Sequence, residues 1–152
     1  MSDQHFVPDD FAVPLGLAAP GFRLEPLGAQ HNDADHAAWT SSIDHILTTP
    51  GFLEWGWPPP AGLSLAENLR DLQRHARDFE RRAGFTYTVL DNAGEVIGCV
   101  YIYPSRSSKD VADVRSWVRA DREDLDAPLH KAVAAWLASD WPFAEVRYRS
   151  GT

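Results

Sequence analysis

The chain has 152 residues, the size of one domain with a core of its own. Its formal charge of −8 disfavours nucleic acid and anionic membranes as partners, because both are gripped by clustered cations. An apolar share of 44% with six tryptophans excludes wholesale disorder.

The N-terminal stretch "MSDQHFVPDD" is acidic, and "FAVPLGLAAP" after it is short and broken by Pro14. It reads as neither a signal peptide nor a membrane span. Cys99, the single cysteine, rules out an intrachain disulfide and fits a reducing compartment. A soluble cytoplasmic protein is the expectation. Residues 1–20, with Pro8, Pro14 and Pro20, read as an extended arm, and residues 21–152 as the single domain.

"FRLEPL" (Phe22 to Leu27) alternates apolar and polar side chains and predicts a half-buried strand. In "HNDADHAAWTSSIDHIL", Trp39, Ile43, Ile46 and Leu47 share one helical face. Asn32 or Asp33 is the expected cap, and Pro50-Gly51 the end. The aromatic loop "GFLEWGWPPPAG" follows. "SLAENLRDLQRHARDFERRAG" predicts the clearest helix, with Leu65, Leu69, Leu72, Ala76, Phe79 and Ala83 as its apolar stripe. Ser64 and Glu67 form its capping box and Gly84 its stop.

The period then changes to that of strands. "FTYTVL" and "EVIGCVYIYP" around "DNAG" predict a hairpin, and Asp113 to Arg119 a third strand after the polar loop "SRSSKD". A helix with Leu129, Val133, Trp136 and Leu137 on one face ends at Trp141-Pro142, and "AEVRYR" is a last strand. The order β-α-α-β-β-β-α-β gives an α/β (α+β) fold on a mixed, mainly antiparallel sheet. Its last strand–helix–strand unit joins two parallel strands.

The run from "FRLEPL" to "AEVRYR", with "VIG" in the second hairpin strand and "DVRSWVRA" entering a helix, resembles the GCN5-related N-acetyltransferase (GNAT) family. The resemblance implies transfer of an acetyl group from acetyl-CoA, as co-substrate, to an amine, with no metal. It puts the acyl group beside Trp117, Val118 and Arg119. It also puts the diphosphate on the amides of the following loop, at a helix N-terminus.

The loop departs from the family pattern. On Val-x-Pro-x-x-Arg or Gln-x-x-Gly-x-Gly or Ala, the proline falls on Ala120 and the Arg or Gln on Glu123. The glycine positions fall on Asp126 and Pro128. Carboxylates there repel a diphosphate, and proline offers no N–H. Arg119 and Arg122 remain as phosphate partners. Asp126 is otherwise a helix cap and Pro128 a first-turn residue. Family members continue with further elements where this chain reaches Thr152, and an exposed strand edge predicts a homodimer.

Candidate residues carry two readings each. Phe52, Trp55 and Trp57 either line an acceptor pocket or lid the core. Glu54 either meets an amine as general base or is a solvated acid. Tyr101 and Tyr103 either protonate a leaving thiolate or are satisfied core tyrosines. Arg115 is expected to pair with a cross-strand acid. "HNDADH" has metal-like composition without metal-ligand spacing, and His45, His75 and His130 read as surface residues. Cys99 reads as inert core. Two functions are open: a GNAT-type N-acetyltransferase for a small amine, or an inactive relative that keeps the scaffold to bind a ligand or itself.

Overall fold

The computed structural model of the chain describes residues 6–149. Residues 1–5 of the expected arm and the last three residues lie outside the described ones. Six strands among the described residues form one sheet in chain order: β1 (Leu17–Ala19), β2 (Phe22–Pro26), β3 (Phe85–Asp91), β4 (Val96–Pro104), β5 (Val111–Val118) and β6 (Glu145–Tyr148). All neighbours are antiparallel except β5 and β6, which run parallel. This is the mixed, mainly antiparallel α/β sheet that the sequence predicts.

Helices cover both faces. On one side lie α1 (Asn32–Thr40), α2 (Ile43–Thr48), the single turn α3 (Phe52–Trp55) and α4 (Leu65–Glu80). On the other lies α5 (Asp126–Asp140). Strand alternation divides the core accordingly. Val100, Ile102, Val114 and Val118 pack under Leu129, Val133, Trp136 and Leu137. Cys99, Tyr101 and Trp117 pack with Trp39, Ile46, Phe52 and Leu72. Phe6 and Val7 are buried with the α5-side cluster, and the Tyr87 hydroxyl donates to the Pro14 carbonyl at 2.6 Å. No helix of the described residues is long and apolar enough to cross a membrane.

Several expectations are corrected. Leu17–Ala19 is a strand, too short to show a period. The first predicted helix is two, broken at Ser41 and Ser42, where Ser42 Oγ accepts the Ala120 N–H at 2.9 Å across the sheet edge. Neither Asn32 nor Asp33 caps α1. Asn32 instead donates to the Leu65 carbonyl and accepts from Asn68 Nδ2. The capping box of α4 forms as expected: Glu67 N–H donates to Ser64 Oγ and Ser64 N–H to Glu67 Oε1. Its buried stripe is turned, however. Asn68, Leu72, His75 and Asp78 face inward, while Leu65 is 48% exposed. The left-handed residue after α4 is Arg82, not Gly84. Gly84 has another reason, since a Cβ there would stand 2.1 Å from the Tyr103 ring.

Candidate active site

The β5–α5 junction is closed by its own residues. Ala120–Leu125 winds as two short 3₁₀ turns with a kink at Arg122 (φ −127°, ψ 30°) instead of an open loop. Arg119 is held by Asp121 through two hydrogen bonds of 3.0 and 3.2 Å, and Arg122 donates to Asp91 at 2.9 Å. Asp126 opens α5 but caps nothing, contrary to expectation. Both its oxygens accept from Arg149, at 2.6 and 2.7 Å, and the same guanidinium donates to the Ser116 carbonyl at 3.2 Å. Arg149 thereby ties the edge of β5 to the first turn of α5.

Strands β5 and β6 are paired from Val111↔Glu145 to Val114↔Tyr148, and β5 continues for four residues without β6 beside it. A cleft of about 440 Å³ opens there against the α2–α3 turn, lined by Gly51, Glu54, Asp113, Arg115, Arg147 and Arg149. Arg115 does not take the expected cross-strand acid. Its Nε donates to the Gly51 carbonyl at 3.3 Å and its guanidinium lies 4.7 Å from the Trp55 ring centre. Carboxylates and guanidinium groups together make the cleft suited to a polar ligand carrying both signs of charge.

Behind Trp55 lies a second, more enclosed space of about 70 Å³, lined by Asp35, Trp55, Trp57, Asn68, His75 and Tyr101 among others. The rings of Trp55 and Trp57 stand 5.1 and 6.1 Å from that of Tyr101, and His75 stands 5.7 Å from it. Trp117 is fully buried beneath them and donates from Nε1 to the Tyr101 hydroxyl at 3.0 Å. Burial pushes the Asp35 carboxyl up to about 6, against the hydrogen bond from Asn68, which lowers it. Burial pushes the His75 imidazole down to about 4, with Arg74 adding to the effect. It also holds the Tyr101 phenol and the Cys99 thiol well above their ordinary values, so neither ionises near neutrality.

A hydrogen-bonded row fixes the His75 tautomer. The Tyr103 hydroxyl donates its one proton to Asp78 Oδ2 at 2.8 Å, so its oxygen can only accept from His75 Nδ1, also at 2.8 Å. The proton of neutral His75 therefore sits on Nδ1, and Nε2 keeps its lone pair.

The structure thus brings Trp55, Trp57 and Tyr101 to one cavity and Glu54 to the adjoining cleft. Phe52 is fully buried behind the two indoles and Trp117 beneath them, while Val118 is buried toward α5. Tyr103 belongs to the Asp78–His75 row. Asp35, Asn68 and His75 were not among the predicted residues, and His75 is not the surface residue expected of it: it is 8% exposed. Polar residues at 68, 75 and 78, on a face that also holds Leu72, were the available signal. Among the described residues no cluster of His, Cys, Asp and Glu is arranged to hold a metal ion.

No family model matches this sequence, and no curated protein sequence matches it closely. Solved structures do. RimL, a ribosomal L7/L12 alpha-N-protein acetyltransferase, superposes with a TM-score of 0.62 at 13% identity, over 82% of this chain and 61% of RimL. A GCN5-related N-acetyltransferase from Brucella melitensis superposes with 0.62 at 21% identity, over 84% of this chain and 56% of that one. The microcin C7 self-immunity acetyltransferase MccE, solved with acetyl-CoA and AMP, gives 0.59 at 8% identity, over 84% of this chain and 69% of MccE. This chain has the GNAT fold. It spans about three fifths of RimL's length. Among its described strands, β5 and β6 are the one parallel pair.

Proposed function

We propose that the chain is a divergent GNAT-type acyltransferase that moves an acyl group from a thioester to a small amine. The observation that supports it is the parallel pair β5–β6 separating after Val114 and Tyr148, with the mixed-charge cleft at the opening. RimL has been solved with coenzyme A and MccE with acetyl-CoA, which makes acetyl-CoA the reference donor.

The residues do not fit the diphosphate of that donor. The junction offers Asp121, Glu123, Asp124 and Asp126, its two arginines are engaged by Asp121 and Asp91, and Pro128 has no N–H. A carboxylate about 4 Å from a phosphate charge opposes binding by about 4 kcal/mol at an effective dielectric of ~20. The donor is therefore recognised by its thioester arm rather than by its phosphates. On the acceptor side, Glu54 at the rim of the cleft meets the amine's positive charge and takes its proton before attack.

Incubating the full chain with acetyl-CoA or acetyl-pantetheine and a panel of small primary amines tests this. Transfer is read as thiol release, and Cys99, fully buried, contributes no background. Amine-dependent release supports the reading; none from either donor with any amine rejects it.

One observation favours a second reading, that of a binding module. The clamp of Arg149 on Asp126 and on the Ser116 carbonyl occupies the strand edge and helix end that a donor would use. Calorimetry with both thioesters separates the two, since a module of this kind gives no heat with either.

A further inference from the structure

Among the described residues no strand pairs with the outer edge of β6, whose inner edge is taken by β5. The Ala144 N–H donates inward to the Asp110 carbonyl at 3.1 Å. Backbone groups alternate sides along a strand, so those of Val146 and Tyr148 also face β5, while the N–H and C=O groups of Glu145 and Arg147 face outward. These two side chains share one face of the sheet and are exposed, at 57% and 47%. Arg147 Nε donates to Glu145 Oε2 at 3.3 Å. An open edge of this kind is a template for another strand.

We infer that the outer edge of β6 is a dimer interface, in which β6 of a second copy lies antiparallel with Val146 facing the second copy's Val146. The register follows from hydrogen bonding and charge together. Antiparallel strands bond through facing residues whose backbone groups both point across the gap. On this edge that leaves Glu145 on Glu145, Glu145 on Arg147, or Arg147 on Arg147. The first and the last set like charges face to face, which destabilises a sheet. The middle register sets Glu145 opposite the second copy's Arg147 and Arg147 opposite its Glu145. Each of these pairs exchanges both backbone hydrogen bonds, and the Val146 side chains meet on the other face. The strand is complementary to itself in this register alone.

The twofold axis of such a pair stands perpendicular to the sheet, so both clefts open on one face of the joined sheet. Arg147 lines the cleft beside β5, and the second copy's Glu145 thereby joins that cleft's rim. The left-handed Arg149 (φ 57°) follows directly on Tyr148 and ends β6, which keeps the contact short. The association is therefore weak and reversible, held by main-chain hydrogen bonds and made selective by charge. It goes beyond acyl transfer, since it needs neither donor nor acceptor.

Sedimentation equilibrium of the full chain at low ionic strength, from about 10 µM to about 1 mM, tests this. The expected result is a reversible equilibrium between monomer and dimer. Arg147→Glu and Glu145→Arg each set like charges opposite one another in both facing pairs and weaken the dimer by about tenfold. Both side chains are exposed, so neither change disturbs the fold. An equimolar mixture of the two variants forms a heterodimer at least as strong as the wild type, because every Glu then faces an Arg. Arg70→Gln, an exposed cation on α4, leaves the equilibrium unchanged. A strict monomer up to about 1 mM overturns the inference and leaves the edge to solvent or to this chain's own N-terminal residues. A dimer that survives both charge changes, or a mixture that fails to restore it, overturns it as well.

Discussion

Arg149 grips Asp126 with two nitrogens, at 2.6 and 2.7 Å, 23 residues along the chain and across the open end of the β5–β6 pair. The guanidinium side chain is 10% exposed and the carboxylate 28%, so the pair sits between surface and interior. Removing the cation leaves a partly buried carboxylate and the Ser116 carbonyl without their donor. Arg149→Ala is expected to lower stability by about 2 kcal/mol, below the value for a fully buried pair because water reaches Asp126. Urea denaturation measures it. The double variant with Asp126→Asn should recover part of the loss; full additivity would show that the two residues are not coupled.

A donor held by its arm gains little from a nucleotide. Acetyl-pantetheine and acetyl-CoA are therefore expected to give kcat/KM values within about threefold of each other, a difference under ~1 kcal/mol. In an enzyme that seats the diphosphate on a helix end, truncation would be far more costly. A large preference for the full coenzyme would mean that the acidic junction accepts phosphate after all.

His75 and Asp35 pull stability in opposite directions with pH. His75 is depressed from 6.5 to about 4 by burial. Its contribution is complete above the unfolded value and is lost as pH falls toward 4. Asp35 is raised from 3.8 to about 6. Its contribution is complete below the unfolded value and is lost as pH rises through 6. Each is worth on the order of 3 kcal/mol at its extreme, and the two windows overlap, so in the wild type they nearly cancel. The variants separate them. Relative to wild type, His75→Gln should gain stability as pH falls from 6 toward 4, and Asp35→Asn should lose it. Denaturation midpoints across that range check both signs, and parallel curves for all three proteins would refute the assignment.

Much of the scaffold was legible because local rules and tertiary packing agree. Ser64 and Glu67 announce the start of α4 by chemistry that needs only four residues, and the alternation in "VIGCVYIY" survives as two buried faces. The site was less legible because it depends on rotation and distance. The leucine stripe of α4 points to Leu65 and Leu69, yet packing turns Asn68 and His75 inward, where Trp39 Nε1 donates to Asn68 Oδ1 at 2.9 Å. Asp126 looked like a cap in sequence because its partner, Arg149, lies in a different element. The helix break at Ser42 likewise answers to Ala120, 78 residues away.

The glycine of "VIG" has a steric origin that can be tested directly. A Cβ at Gly98 would meet the Trp117 carbonyl oxygen at 2.3 Å and Val118 Cα at 3.3 Å, both backbone atoms of β5 that cannot swing aside. Strand β4 approaches β5 closely there, next to the register shift between Val89 and Leu90. Trp117, the indole under the cavity, belongs to the same contact. Gly98→Ala must push the two central strands apart and is expected to cost more than about 2 kcal/mol. Gly56→Ala is the comparison: its φ of 80° strains an alanine, but nothing stands within 4 Å of the added carbon. That conformational cost is about 1 kcal/mol. Thermal melts should therefore rank Gly98→Ala well below Gly56→Ala. Gly98→Ala should also alter tryptophan emission, because it displaces the fully buried Trp117. A ranking in which Gly56→Ala is the more damaging would remove the close approach of β4 to β5 as the reason for the glycine.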